Sequence, residues 1–389
     1  MSPRPAPNPP DEGLAIGYQP SEPAADTGHL HQLVHSLGQD ERQFLGFPDH
    51  LGTVAGELAP LLGMFIDHRL DPYARDAAGI CTQPYEEAVL AYFAALAGVS
   101  AADAHGYVAS SPQEALLHGL AMAHRRLPTA SVYVSEQANF HVTRACELLG
   151  LNQVSVRSLP DGTMDPEDLR LQTRIRREAG AVVVATCGTP LRGAIDDVAE
   201  LRAAAAQSGT VHVHVDATAG GLAAAHSNQA PAWSLAHGAR SITLSGHSLL
   251  GLPVPAGISL MWRTQIPATV PGITVPDRMV VGSRGGLPAL LLWTRLRSLG
   301  RAGVAAMVSR CQDVAAYAVD RFEQAGAKPE RFPGSLTVTF ERPPAWVVDK
   351  WGLRYVGDLA QIVTTGPFTR AAVDELAADL DAARWEAIA

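Results

Sequence analysis

Short apolar runs rich in β-branched residues alternate with longer amphipathic stretches over most of the chain. The clearest runs are 131–134, 154–156, 181–185, 211–215, 241–244 and 257–261, each bounded by turn residues. Between or after them, 113–127, 141–149, 197–206 and 287–296 place apolar side chains at helical spacing. This alternation predicts α/β architecture: a buried, mostly parallel sheet flanked by helices. After residue 300 the rhythm changes to a long helix at 304–325, strands at 335–340 and 359–364, a helix near Trp346 and a last helix from Arg370, which reads as a small α+β domain. The predicted organisation is a proline-rich flexible arm at 1–28, an N-terminal segment at 29–50, a large domain at 51–300 and a small C-terminal domain at 301–389.

Composition narrows the function. With 389 residues, 47% of them hydrophobic, the chain can bury a sizeable core. Its net charge of −9 and the lack of a basic stripe argue against nucleic acid. No apolar run approaches the roughly 20 residues needed to span a bilayer, so a cytoplasmic protein is expected. The four cysteines have no CxxC spacing and read as reduced thiols, with no metal site. Only two of the 30 basic residues are lysines, Lys328 and Lys350. Mechanisms that need an amine therefore have two candidates.

Chemistry concentrates in two segments. His212 to Asp216 runs into Ala217-Thr218-Ala219-Gly220-Gly221, and Ser245-Gly246-His247-Ser248 follows about thirty residues on. In an open α/β sheet both would end strands at one crevice, where ligands bind. Asp216 is either a partner for a cation or a strand-end carboxylate bonded to backbone. His247 is either a general acid/base or a satisfied structural imidazole. Gly246-His247-Ser248 begins like a nucleophile elbow, but Leu250 stands where the last glycine belongs.

These segments resemble fold type I pyridoxal-phosphate (PLP) enzymes of the group II decarboxylase superfamily, most closely the bacterial PLP histidine decarboxylases. The resemblance extends through Gly46-Phe47-Pro48, Gly106-Tyr107-Val108, Ser135-Glu136, Ser158-Leu159-Pro160, Gly188-Thr189, Gly193-Ala194, Gly282-Ser283-Arg284, the 317–322 helix, Arg342-Pro343-Pro344 and Gly357-Asp358-Leu359-Ala360. It implies a PLP-transferase-like fold and a homodimer. Asp216 matches the aspartate that holds the pyridine nitrogen, Ala217 the small residue under the ring, and Ser245 and His247 the first and third positions of a Ser-Gly-His-Lys motif. Ser248 stands where that motif has its Schiff-base lysine.

Two more departures fall on the same cofactor. The family's Gly-Gly-Thr-Glu phosphate loop corresponds to Ser111-Pro112-Gln113-Glu114, preceded by Ser110, and proline brings no N–H to a phosphate cradle. The ring-stacking histidine of the family corresponds to Asn139, with His141 two residues on. The resemblance also points to Arg284, with Ser283, as a carboxylate anchor that a neighbouring subunit contributes to the site.

The expectation is a decarboxylase-like enzyme turned to a lysine-independent reaction on a small amino-acid-like substrate in specialised metabolism, with no cofactor. His247 would serve as acid/base and Asp216 as its electrostatic partner. Three alternatives stay open: noncovalently bound PLP or pyridoxamine phosphate (PMP) with His247 as proton shuttle, a non-catalytic partner-binding subunit, and acyl transfer with Ser248 as nucleophile.

Overall fold

Six consecutive small and β-branched residues, Ala181–Thr186, form a strand with every side chain buried. Helices cover both of its faces, so the strand has no solvent side and shows no alternation. It belongs to a computed structural model that describes residues 27–28, 30–33, 56–64, 66–68, 71–73, 82–176, 179–266, 279–366 and 368–388. The N-terminal unit, Met1–Gln43, contributes a helical stretch at 27–28 and 30–33. The rest of the expected arm, the segment at 34–50, Gly46-Phe47-Pro48 and Cys81 lie outside the described residues. The second unit, Phe44–Ala389, holds both of the sheets that build the candidate site.

Seven strands make the main sheet: β1 (Ala104–Ala109), β2 (Ser131–Ser135), β3 (Gln153–Val156), β4 (Ala181–Thr186), β5 (Val211–Ala217), β6 (Ser241–Ser245) and β7 (Gly257–Trp262). Their order is β1-β7-β6-β5-β4-β2-β3. All neighbours pair parallel except β7, which runs antiparallel to both β1 and β6. The five parallel strands therefore deliver their C-terminal ends to one edge. Strand β1 eludes the pattern because His105 and Gly106 interrupt its apolar run, although all six residues are buried.

The helices that matter for the site are α1 (Gln83–Leu96), α2 (Pro112–Arg126) and α3 (Phe140–Leu149). Ser111 starts α2 by accepting the Glu114 N–H at 3.1 Å, with Pro112 in the first turn where no N–H is needed. Helix α4 (Leu287–Gln324) leaves helical geometry at Gly300, with φ 61° and ψ 174°. Val304, Met307, Val308 and Cys311 still pack into the core of the main sheet, whereas Ala315, Ala318 and Phe322 belong to a second core. Packing thus divides in mid-helix, beyond the expected boundary at 300. The second core underlies a three-stranded antiparallel sheet of β8 (Thr337–Glu341), β9 (Arg354–Val356) and β10 (Leu359–Val363), ordered β8-β10-β9. No described helix is long and apolar enough to cross a membrane.

Candidate functional site

Loops after the parallel strands and one face of the small sheet enclose a cavity of about 390 Å³. Strand β5 brings Asp216 to its wall, the β6 end brings Ser245, His247 and Ser248, and the first turns of α2 and α3 bring Gln113, Asn139 and His141. The loops after β4 and β5 are pressed together: the Gly220 N–H donates to the Cys187 carbonyl at 2.9 Å. Gly188, at φ +100°, leaves no room for a side chain, since a Cβ there would lie 2.7 Å from Gly220 N.

Asp216 is 4% exposed. Its carboxylate accepts the Thr218 hydroxyl at 2.7 Å and the Thr218 N–H at 3.1 Å. Burial pushes its pKa up, and these hydrogen bonds and His141 only partly oppose the rise. His141 accepts a hydrogen bond from Gln113 at 3.3 Å, and burial pushes its pKa down against the pull of Asp216.

His247 is held through Nδ1, which lies 3.1 Å from the Ala256 carbonyl and 3.2 Å from the Ala256 N–H. Ring Nε2 is left for exchange with a ligand. Ser245 Oγ accepts the Ser248 N–H at 3.2 Å and shares a hydrogen bond of 2.8 Å with Ser248 Oγ. The partner of the Ser248 hydroxyl is thus Ser245 and not His247, which weighs against a directly activated serine nucleophile.

Seven of the expected residues meet here: Gln113, Asn139, His141, Asp216, Ser245, His247 and Ser248. Asn139 also caps α3, its side chain accepting the His141 N–H at 3.1 Å. Five others do not line the cavity. The Ser111 hydroxyl is committed to its helix cap, and the Ser110 N–H donates to Glu114 at 2.8 Å. Ala217 is buried in the main core. Ser283 is exposed outside the cavity. Arg284, expected to anchor a carboxylate, is buried against Glu86 at 2.7 Å within this chain. Sequence reasoning missed Thr218, Arg354 and Gln361. An aspartate followed two residues on by threonine is a turn signal that could have flagged Thr218; nothing in the sequence links the other two to Asp216.

Residues 111–268 match the model of the pyridoxal-dependent decarboxylase conserved domain. A histidine decarboxylase of Acinetobacter baumannii is 32% identical over 288 residues, 72% of this chain and 75% of that enzyme. The chain belongs to the pyridoxal-dependent decarboxylase family. A second family member, a histidine decarboxylase of Mesorhizobium japonicum, is 30% identical over 356 residues, 90% of this chain and 96% of its own. The fold matches the L-methionine decarboxylase of Streptomyces sp. 590 with a TM-score of 0.83 at 19% identity, covering 97% of this chain and 98% of that one.

The residues present fit the family's cofactor ring but not a covalent bond to it. A buried carboxylate hydrogen-bonded only by Thr218 among the described residues suits a protonated ring nitrogen. No lysine lines the cavity. Lys328 and Lys350 instead extend outward to Glu341 and Asp379, each at 2.6 Å.

Proposed function

We propose that this decarboxylase-family member takes PLP or PMP into the cavity without a covalent bond and acts there on a small amino-acid-like substrate by a lysine-independent route. Asp216 carries the reading. Burial raises its pKa, and a cationic ring nitrogen would relieve that penalty. When bound, such a ring supplies an electron sink. Asp216 would hold the ring proton, His141 would border the ring, and His247 Nε2 would move a proton to or from the substrate. The expected cofactor-free reaction gives way to its noncovalent alternative, because a cofactor-free cavity leaves Asp216 without a cation. A homodimer belongs to the same proposal, supported by the resemblance to fold type I enzymes as a whole.

Titration of purified protein with PLP and with PMP, followed by absorbance and equilibrium dialysis, tests the reading. Saturable binding that Asp216→Ala abolishes and that leaves no adduct after borohydride reduction supports it. Absence of binding at near-millimolar cofactor overturns it.

A further inference from the structure

We infer that the cavity recognises its ligand by the ring alone, with no anchor for a 5′-phosphate, so that an unphosphorylated pyridine such as pyridoxamine binds at least as well as its phosphate ester. This deepens the noncovalent-ring reading, on which it rests, by naming the class of ring ligand. A phosphate is ordinarily held by free N–H groups at the start of a helix and by hydroxyls beside it. Helix α2 begins on the cavity wall, and there Pro112 brings a ring carbon in place of an N–H. The next side chain, Gln113, is turned to His141 at 3.3 Å. The Ser110 N–H donates to Glu114 at 2.8 Å, and the Ser111 hydroxyl accepts the Glu114 N–H at 3.1 Å. The loop is also tightly backed: a Cβ at Gly257, where β7 starts, would lie 2.3 Å from the Ser111 carbonyl oxygen.

A second observation comes from Ser245, at the end of a different strand. Its hydroxyl oxygen accepts the His247 N–H at 3.3 Å and the Ser248 N–H at 3.2 Å, which uses both of its lone pairs. The remaining proton finds acceptors in the same loop, Ser248 Oγ at 2.8 Å and His247 Nδ1 at 3.3 Å. Serine at position 248 thus does more than remove an amine, because it draws the neighbouring hydroxyl away from any ligand. Among the described residues that line the cavity, Arg354 alone carries a permanent positive charge, and it stands on β9 of the small sheet, not at the start of α2. Pro112 and Leu116 make the α2 side of the wall largely apolar. Such a wall suits a flat cation with a short uncharged arm, since a buried dianion would be costly without its donors.

Calorimetric titration of the full chain with pyridoxamine and with PMP decides the matter, because the two differ only in the phosphate and carry no aldehyde to label surface amines. A single charge-assisted hydrogen bond to the phosphate would favour PMP by about tenfold or more. The wild-type chain should instead bind the two within about tenfold of each other, or pyridoxamine more tightly, and Asp216→Ala should abolish both. The double variant Pro112→Gly/Gln113→Thr gives the loop back an N–H and a short hydroxyl. It should move the ratio of PMP to pyridoxamine affinity towards PMP by about tenfold or more, and an unmoved ratio overturns the role given to this loop. Wild-type preference for PMP by about tenfold or more overturns the inference and leaves the ring reading standing. If neither ligand binds, or if Asp216→Ala binds both unchanged, the ring reading fails and takes this inference with it.

Discussion

Nη1 of Arg284 lies 2.7 Å from Oε1 of Glu86, and neither side chain is more than 1% exposed. Arg284 Nη1 also donates to the Val108 carbonyl at 2.6 Å, and His68 Nδ1 lies 2.9 Å from the other Glu86 oxygen. Burial alone would raise the Glu86 pKa, but the His68 hydrogen bond and the Arg284 charge hold its carboxyl below the usual range. The cluster clamps residues 67–68 and 284–285, which pair as two short antiparallel strands, onto α1 and β1.

Arg284→Ala should therefore destabilise the fold by about 3–5 kcal/mol, because it strands a buried carboxylate. Chemical denaturation measures this. The double variant Glu86→Leu/Arg284→Met should be more stable than Arg284→Ala alone; if it is no better, the clamp is not electrostatic.

Asp216→Asn separates binding from stability. A carboxyl whose folded pKa lies above its unfolded value adds stability at low pH, and that contribution disappears as pH rises through the folded pKa. At pH 7–8 the ligand-free variant should be more stable than wild type by about 1 kcal/mol, as when a strained functional group is neutralised. It should also lose ring binding. Thermal melts with and without PMP read both effects.

Acid should unfold the chain through its buried imidazoles. His212 and His214 share the Ser241 hydroxyl at 2.9 and 2.8 Å, and burial holds both pKa values down to about 3. Histidines depressed in the folded state are stabilising above about pH 6.5, and the stabilisation drains away as pH falls towards 3. Burial raises Asp196 to about 6, which acts in the opposite sense as pH falls. Carried to pH 3, the cost is roughly 5 kcal/mol for each imidazole against a gain of roughly 3 kcal/mol from Asp196. Denaturation midpoints should fall steadily between pH 6.5 and 4; a flat profile would contradict this.

Gly119→Ala tests the same buried cluster without changing charge. A Cβ at Gly119 would lie 2.2 Å from His214 Cε1 and 2.6 Å from its Nδ1. A loss of about 2–3 kcal/mol is expected from overpacking a ring fixed by Ser241 and Thr243. A variant as stable as wild type would show that the imidazole has somewhere to move.

Ser248→Lys places an amine on the cavity wall. Incubation with PLP and borohydride, followed by peptide mass spectrometry, should find the adduct at position 248 in the variant and nowhere in the cavity of wild type. Failure to label would mean that the altered phosphate loop, not the missing amine, excludes covalent attachment.

Sheet and helix order were legible in the sequence wherever apolar runs were continuous, as at 181–185; missed were β1, where a buried histidine and a glycine mimic a turn, the short exposed β9, and the two-residue strands at 67–68 and 284–285. The cavity floor was legible too, because Asp216, Ser245 and His247 end strands and their neighbours are small. The far wall was not. Arg354 and Gln361 come to line the same cavity as Asp216 only through the packing of the small sheet against the large one, which local patterning does not encode. Arg284 misled for a related reason: an arginine after glycine and serine looks available until Glu86, 198 positions away, is found beside it.

The outward placement of both lysines makes this chain its own conjugation scaffold. With side chains 76% and 52% exposed at Lys328 and Lys350, dyes, tethers or surfaces coupled to lysine side chains would attach through the small domain's exterior and leave the ligand cavity chemically untouched.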